Sequence, residues 1–264
     1  MVKTFEWLDD ALLPVGETTD LEVASSALPS GAYTSLRTYG GRRFLHLDDH
    51  AARLAASSGA PFDAGVLRAA LRAALDATRH PESRLRVTFA PLRLFVALEP
   101  FVPPAESLYR DGVRCATLPL RRERPHAKDT RFIATAASAY RRLPTGVHEG
   151  LLAAEDGALL EGLSSNFFAL ADGRLRTEDE RALPGITRAL VLDVASGLVP
   201  VVLAAVHVDE LPQVSECFIT SASRGVMPVV RVDEATVADG RPGPITAELR
   251  RRFEERIAAE AEAV

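Results

Sequence analysis

The sequence predicts an α+β fold, rich in strand and organised in two lobes. Three observations point that way. Extended and helical signals alternate through the first half of the chain. A series of short strand signals separated by turns fills much of the second half. Between them, residues 119–127 (Pro-Leu-Arg-Arg-Glu-Arg-Pro-His-Ala) form a polar link bounded by prolines. The expected domains are residues 1–120 and 128–264, with 121–127 as the interdomain linker.

The elements follow in order. Residues 33–39 predict a strand, Gly40-Gly41 a hairpin turn, and residues 42–47 the partner strand. Asp48 and Asp49 are N-cap candidates for a helix that runs to about Ser58. Leu67, Ala70, Leu71, Ala74 and Leu75 keep helical spacing and mark the buried face of a second helix. Residues 84–89 and 92–98 predict strands broken at Pro91, and 113–118 another. Past the link, residues 131–142 predict an alanine-rich helix. Strands are expected at 150–154, 158–161, 166–171 and 174–177, with Asp172-Gly173 as a tight turn. A helix at 187–197, strands at 201–208 and 217–220, and a closing amphipathic helix at 245–259 complete the chain.

Bulk properties narrow the function. The 264 residues are 47% hydrophobic and 25% charged, a globular composition. A net charge of −5 disfavours nucleic acid or an anionic membrane as the main partner. No apolar run approaches the roughly 18 residues of a membrane span. Residues 1–13 carry acids and no signal-peptide core, so a cytoplasmic protein is expected. Cys115 and Cys217 sit in apolar, strand-like runs as buried reduced thiols, and no Cys/His spacing suggests a metal. The run Arg121-Arg122-Glu123-Arg124 is short and interrupted by an acid, which fits a solvated loop face.

Two motifs carry the chemistry. Glu161-Gly162-Leu163-Ser164-Ser165-Asn166 is followed, 17 residues after Asn166, by Leu183-Pro184-Gly185-Ile186-Thr187-Arg188. With Lys128 upstream they supply what a pyridoxal 5'-phosphate site needs: an amine for the aldehyde, an acid facing the ring nitrogen and a cradle for the phosphate. Only one other lysine exists, Lys3, near a terminus expected to fray, and arginine offers no neutral amine. Alone, Lys128 is also compatible with an ordinary loop lysine. Glu161 closes a short strand as either a turn acid or the partner of a pyridine nitrogen. Ser164 and Ser165 either form the turn or line the phosphate or substrate. Gly185-Ile186-Thr187 opens a helix whose N-terminus favours an anion, with Thr187 either an added donor or a plain N-cap. Arg53, three residues after His50, is either a surface arginine or a phosphate partner.

With these motifs in place, the chain resembles the class IV, or fold-type IV, pyridoxal-phosphate-dependent aminotransferases. The family includes D-amino acid, (R)-amine and branched-chain transaminases and aminodeoxychorismate lyase. The similarity runs from Gly31 to Thr246 and rests on GAYTSLRTYGG, HAARL, Lys128, EGLSSNFF, LPGITR and DGRPGPIT. It implies a two-domain fold, with a small α+β N-terminal domain and a larger pseudo-barrel C-terminal domain, and a cytoplasmic homodimer that takes small-molecule amino donors and keto acid acceptors. It implies Lys128 as the Schiff-base lysine and Glu161 as the ring-nitrogen acid. Arg53, Ser165, Ile186, Thr187, Ala222 and Ser223 fall at cofactor-binding positions, and Tyr33, Ser35 and Arg37 line the substrate side along one strand face.

The chain also departs from its relatives. Branched-chain enzymes have Phe-Glu-Gly where this chain has Tyr33-Thr34-Ser35, and a tyrosine soon after the lysine that is missing here. Their Gly-Thr-Ala phosphate loop is replaced by Ser221-Ala222-Ser223-Arg224-Gly225, which adds Arg224 as a candidate substrate-carboxylate partner or a loop arginine. The resemblance then favours amino transfer between a D-amino acid or (R)-amine and a 2-keto acid. Aminodeoxychorismate lyase is the alternative, although its usual asparagine-arginine pair appears only as Thr130-Arg131. A branched-chain L-amino acid enzyme ranks behind both.

Overall fold

Two separate sheets organise residues 1–264 in the computed structural model. The first belongs to a unit made of Met1–Pro103, Ala127–Ala137 and Ile257–Val264, the second to a unit made of Pro104–His126 and Ser138–Arg256.

The first unit contains β1 (Val2–Leu8), β2 (Ala11–Thr18), α1 (Leu21–Ser26), β3 (Ala32–Arg37), β4 (Arg43–Phe44), α2 (Leu47–Ser58), α3 (Ala64–Thr78), β5 (Ser83–Ala90) and β6 (Arg93–Pro100). Its antiparallel sheet has the order β2-β1-β6-β5-β3. Both longer helices bury the apolar stripe their spacing predicts: Leu47, Ala51 and Leu54 from α2, and Leu67, Ala70, Leu71, Ala74 and Leu75 from α3. These join Leu36, Phe44, Leu85, Val87, Val96 and Leu98 in one core. The N-terminus does not fray. Lys3 lies in β1 opposite Glu17 on one side and Leu98 on the other. β2 escapes a pattern reading because it is a largely exposed edge strand with little alternation to detect. The expected return strand at 42–47 shrinks to the two residues of β4. Helix α2 starts one residue before Asp48, so His46 and not an aspartate is its N-cap, and it offers no side-chain cap. Asp48 and Asp49 fall in the first turn, where they favour the helix dipole.

The second unit contains α4 (Glu106–Asp111), β7 (Val113–Leu118), the end of α5 (Arg131–Tyr140), β8 (Glu149–Ala153), β9 (Ala158–Gly162), β10 (Asn166–Ala171), β11 (Arg174–Arg176), α6 (Ile186–Ala195), β12 (Val201–Val202), β13 (Val206–His207), β14 (Val214–Ser221), β15 (Gly225–Val232), β16 (Ala235–Thr236) and most of α7 (Pro244–Glu260). The last strand, β17 (Glu262–Ala263), pairs with β4 in the first unit. Strands β10, β14, β15, β7, β8 and β9 are neighbours in that order, and pairing of β9 with β10 closes them into a six-stranded barrel. Val113, Cys115, Leu151, Leu159, Phe167, Cys217, Ile219, Met227 and Val229 form its core. Both cysteines are buried free thiols, raised in pKa by that burial. Phe168 and Phe218 stack 4.8 Å apart from neighbouring strands. The fold is thus the two-domain α+β arrangement with a barrel in its C-terminal part.

The expected bounds differ from the compact units in two places. β7 pairs in parallel with β15 and β8, so it belongs to the second unit although it precedes the 121–127 link. Lys128 and its neighbours attach to β3 and belong to the first. Both follow from pairing between residues far apart in sequence, which a linear reading cannot see. Strand β15 was also missed, since Pro228 argues against a strand. Pro228 faces only β14, and pairing with β7 begins after it, at Val229. The expected strand at 201–208 splits into two residues each of β12 and β13.

Candidate active site

The site residues fall into two groups, one in each unit. In the first unit, the segment carrying Lys128 runs beside β3. The Tyr33 N–H donates to Lys128 O at 2.8 Å, and the Thr130 N–H donates to Gly31 O at 2.9 Å. Gly31 N–H donates to Thr130 Oγ1 at 2.9 Å, and the Lys128 N–H donates to Ser57 Oγ on α2 at 3.0 Å. The lysine backbone is therefore held from two sides by main-chain and hydroxyl groups. Its half-buried side chain places Nζ 4.9 Å from the centre of the Tyr33 ring. Gly31 is required here, because a Cβ would collide with Phe89 O and Ala90.

Arg53 projects from the same helix. Its Nη2 donates to Thr34 Oγ1 at 2.5 Å and lies 3.3 Å from His50 Nδ1. Burial lowers its pKa to about 10. Its Nε is buried with no acceptor. A desolvated guanidinium with an open N–H is the donor set expected around a phosphate.

Tyr33, Ser35 and Arg37 share the face of β3 opposite the core residues Ala32 and Leu36. Arg37 stacks on Tyr39 at 4.2 Å and Phe101 at 4.8 Å, and its Nε is buried without an acceptor. The other arginines of this sheet have side-chain or main-chain partners, although the Arg86 Nε is itself buried without an acceptor. Arg86 donates to Leu21 O and Ser25 Oγ of α1, Arg84 to Glu99, and Arg93 to Glu6. Arg131 pairs with Asp129.

In the second unit, the EGLSSN motif is the turn that closes the barrel. Glu161 of β9 pairs in register with Asn166 of β10, and the Gly162 N–H donates to Ser165 O at 2.8 Å. Glu161 is buried. Its Oε1 accepts from Arg122 Nε at 2.7 Å and its Oε2 from the Leu183 N–H at 3.2 Å. Asn166 Nδ2 donates to Leu183 O at 2.7 Å, and a Cβ on Gly185 would strike Asn166 Oδ1. Glu161 and Asn166 thus grip both polar groups of Leu183, and the two motifs, 17 residues apart in sequence, become one structural piece. Leu183 leads directly into α6. Gly185 is its N-cap without a side-chain cap, so Thr187 is not the cap. The first N–H groups of α6, including those of Ile186 and Thr187, have no partner within the helix and suit an anion.

Three further polar residues meet carboxylates of this unit. Ser165 Oγ donates to Glu149 Oε2 at 2.9 Å. Arg224 Nη2 meets the same carboxylate oxygen at 2.7 Å and Ser164 Oγ at 2.8 Å, while its Nε donates to Ser221 Oγ at 3.1 Å. Burial alone would lower the Arg224 pKa, and Glu149 with Tyr140 reverse this, leaving it raised. Arg224 is thus paired with the buried Glu149 carboxylate. Arg122, placed by its sequence context on a solvated loop, is buried against Glu161. Ala222 and Ser223 occupy the half-buried turn between β14 and β15, where the Arg224 N–H donates to Ser221 O at 3.3 Å. At the end of β14 the Thr220 hydroxyl is buried without a partner, in register with Asn166.

Sequence reasoning missed Glu149, Arg122, Thr34, His50 and Ser57. Glu149 accepts from Tyr140, Ser164, Ser165 and Arg224 while fully buried. A charge placed directly before the apolar run Gly150–Ala153 was the available signal.

Each unit, taken by itself, holds donors that fit pyridoxal phosphate. The first has a pinned lysine and a desolvated arginine with an unfilled N–H, and the second a buried carboxylate fixed by an arginine and an uncapped helix N-terminus. Comparison with known proteins agrees. Residues 31–232 match the model of the amino-transferase class IV family. A Listeria innocua D-alanine aminotransferase is 28% identical over 265 residues, covering 91% of each chain. A Thermotoga maritima protein named "Probable branched-chain-amino-acid aminotransferase" is 38% identical over 117 residues, but this match spans only 43% of each chain. A Thermotoga maritima crystal structure named for a branched-chain amino acid aminotransferase superposes with a TM-score of 0.81 at 28% identity, covering 97% of this chain and 96% of that one. The chain belongs to the amino-transferase class IV family and is, with it, a pyridoxal-phosphate-dependent transaminase.

Proposed function

We propose that this enzyme moves an amino group between a D-amino acid or (R)-amine and a 2-keto acid. The observation that carries the reading is β3, where Tyr33-Thr34-Ser35 stands in place of the Phe-Glu-Gly of branched-chain enzymes and Tyr33, Ser35 and Arg37 share the face opposite the core. The full-length likeness to a D-alanine aminotransferase supports it. Arg37 and Arg86, which share this face, each keep a buried Nε–H without an acceptor, which suits a substrate carboxylate; Arg86 also donates to α1, which leaves Arg37 the freer of the two.

Bound, the cofactor supplies the electron sink that lets the donor lose its Cα proton. In this reading Lys128 provides the reactive amine, and its Nζ carries the Cα proton. Glu161 keeps a proton on the ring nitrogen, with Arg122 fixing the orientation of the carboxylate. Toward the phosphate the first unit offers Arg53, and the second offers the N–H groups of Ile186 and Thr187 with the Ala222-Ser223 turn. The active form is a homodimer, which sedimentation would read directly.

The test is a panel of D- and L-amino acids, (R)-amines and aminodeoxychorismate, followed through the cofactor's absorption band. D-amino acids or (R)-amines should convert the band with a 2-keto acid restoring it. Conversion by branched-chain L-amino acids alone overturns the donor assignment, and pyruvate release from aminodeoxychorismate without a keto acid makes the enzyme a lyase. Lys128→Ala should lose the visible band and at least about a thousandfold in turnover. An unchanged spectrum in that variant would remove Lys128 from the role.

A further inference from the structure

Helix α2 carries His50, Arg53 and Ser57 about one turn apart, along one stripe. Ser57 holds the Lys128 backbone, and the other two residues meet the Thr34 hydroxyl of β3. Thr34 is fully buried, and its Oγ1 stands 2.5 Å from His50 Nδ1 and 2.5 Å from Arg53 Nη2. A hydroxyl has one proton to give. Arg53 can only donate, so the hydroxyl accepts from Nη2 and gives its proton to Nδ1. This order requires a neutral imidazole with its lone pair on Nδ1. The surroundings enforce that state: burial, then the charges of Arg53 and Lys128, push the His50 pKa well below its ordinary 6.5. The chain of bonds engages one end of the guanidinium. It leaves Nε, buried and without an acceptor, and Nη1 for an anion.

We propose that Thr34 and His50 are positioning residues for the cofactor phosphate, seating Nη2 of Arg53 so that its remaining N–H groups are preset for the dianion. The inference rests on the reading of Arg53 as a phosphate ligand. An arginine left to choose among rotamers must lose that freedom on binding, and a preset one has already lost it. Neither residue touches the cofactor in this scheme; each acts through Arg53.

The experiment titrates apoenzyme with pyridoxal 5'-phosphate and with pyridoxal, which lacks the phosphate, by fluorescence. Thr34→Val keeps shape and removes the hydroxyl. It should weaken pyridoxal phosphate binding about tenfold and leave pyridoxal binding unchanged. Thr34→Ser should restore parent affinity. Arg53→Ala should cost more than Thr34→Val, and adding Thr34→Val to Arg53→Ala should cost nothing further. An unchanged affinity of Thr34→Val, an equal loss for both ligands, or full additivity in the double variant overturns the proposal. If Arg53→Ala itself leaves the ratio of the two affinities at the parent value, the phosphate reading of Arg53 fails, a separate outcome. Should Thr34→Val not fold, His50→Leu read against His50→Asn decides the matter from the other end, since asparagine keeps an acceptor near the Nδ1 position.

Discussion

Glu161 keeps its two oxygens on different donors, Arg122 on one and the Leu183 N–H on the other, inside a closed barrel turn. Replacing it with glutamine removes the negative charge from both duties at once. In the role proposed for Glu161, a neutral amide cannot hold a proton on the ring nitrogen, and it removes the carboxylate charge that faces Arg122 Nε. Glu161→Gln should slow the single-turnover half-reaction by about a hundredfold or more, and lower stability by about 3 kcal/mol in urea unfolding. An unchanged rate in a folded variant would make Glu161 a turn residue only. At the same scale, His50 sets a pH dependence. Its folded pKa lies well below the 6.5 of the unfolded chain. Above pH 6.5 both states hold it neutral and its contribution is complete. As pH falls below 6.5 the unfolded chain takes up a proton that the folded one resists, so stability declines by about 1.4 kcal/mol per pH unit until the folded pKa is reached. Unfolding curves from pH 7 to 5 should show a shallower decline for His50→Asn than for the parent. Parallel declines would mean that His50 takes up its proton as easily in the folded state.

At the scale of elements, the second unit works by stapling turns. Glu161 and Asn166 tie the β9–β10 turn to the start of α6. Glu149 on β8 ties that same turn, through Ser164 and Ser165, to the β14–β15 turn through Arg224. Tyr109 adds a bond from its hydroxyl to Arg224 O at 2.8 Å. The turns that carry Ala222, Ser223, Ile186 and Thr187 are thus fixed by buried polar groups and not by their own short sequences. Breaking one partner of a buried pair leaves the other charge stranded. Glu149→Gln should therefore destabilise by about 3–5 kcal/mol, with weaker cofactor binding, and the double variant Glu149→Gln, Arg224→Met should recover part of the loss. Denaturant midpoints for the two variants check this, and a double variant no better than the sum of the singles would show that the two side chains contribute independently.

At the scale of the whole chain, the last residues return to the first unit. Strand β17 pairs with β4. Glu262 Oε1 accepts from the Leu47 N–H at 3.1 Å, and its Oε2 takes Arg68 Nη2 at 2.9 Å. His46, the residue at the N-cap of α2, makes no side-chain cap bond, so this distant glutamate supplies the acceptor that a local cap would have given. Because α2 carries Arg53 and Ser57, removing residues 261–264 should act on the site as well as on stability. We expect a loss of about 1–2 kcal/mol in unfolding free energy, together with a higher dissociation constant for the cofactor. A truncated chain with parent stability and parent cofactor affinity would show that the C-terminal strand is dispensable to α2.

Local signals were enough for several features. The stripe of α3, the tight turn at Asp172-Gly173, and the strands at 113–118 and 166–171 follow from spacing and turn chemistry that act over a few residues. The candidates for the chemistry, Lys128, Glu161, Arg53 and the Ile186-Thr187 helix start, also come from the sequence, because few residue types offer an amine, an acid and an anion cradle. What the sequence left undecided was which polar groups meet. Arg122 and Arg224 look like loop arginines in one dimension, yet each ends on a buried carboxylate more than 35 residues away. Ser165 turns toward Glu149, and the lysine segment joins β3 rather than the domain that follows it in sequence. Composition and periodicity determine which face of an element is buried. The partner of a buried charge is set by chain closure, because a desolvated group must find its counter-group wherever the tertiary fold has placed one.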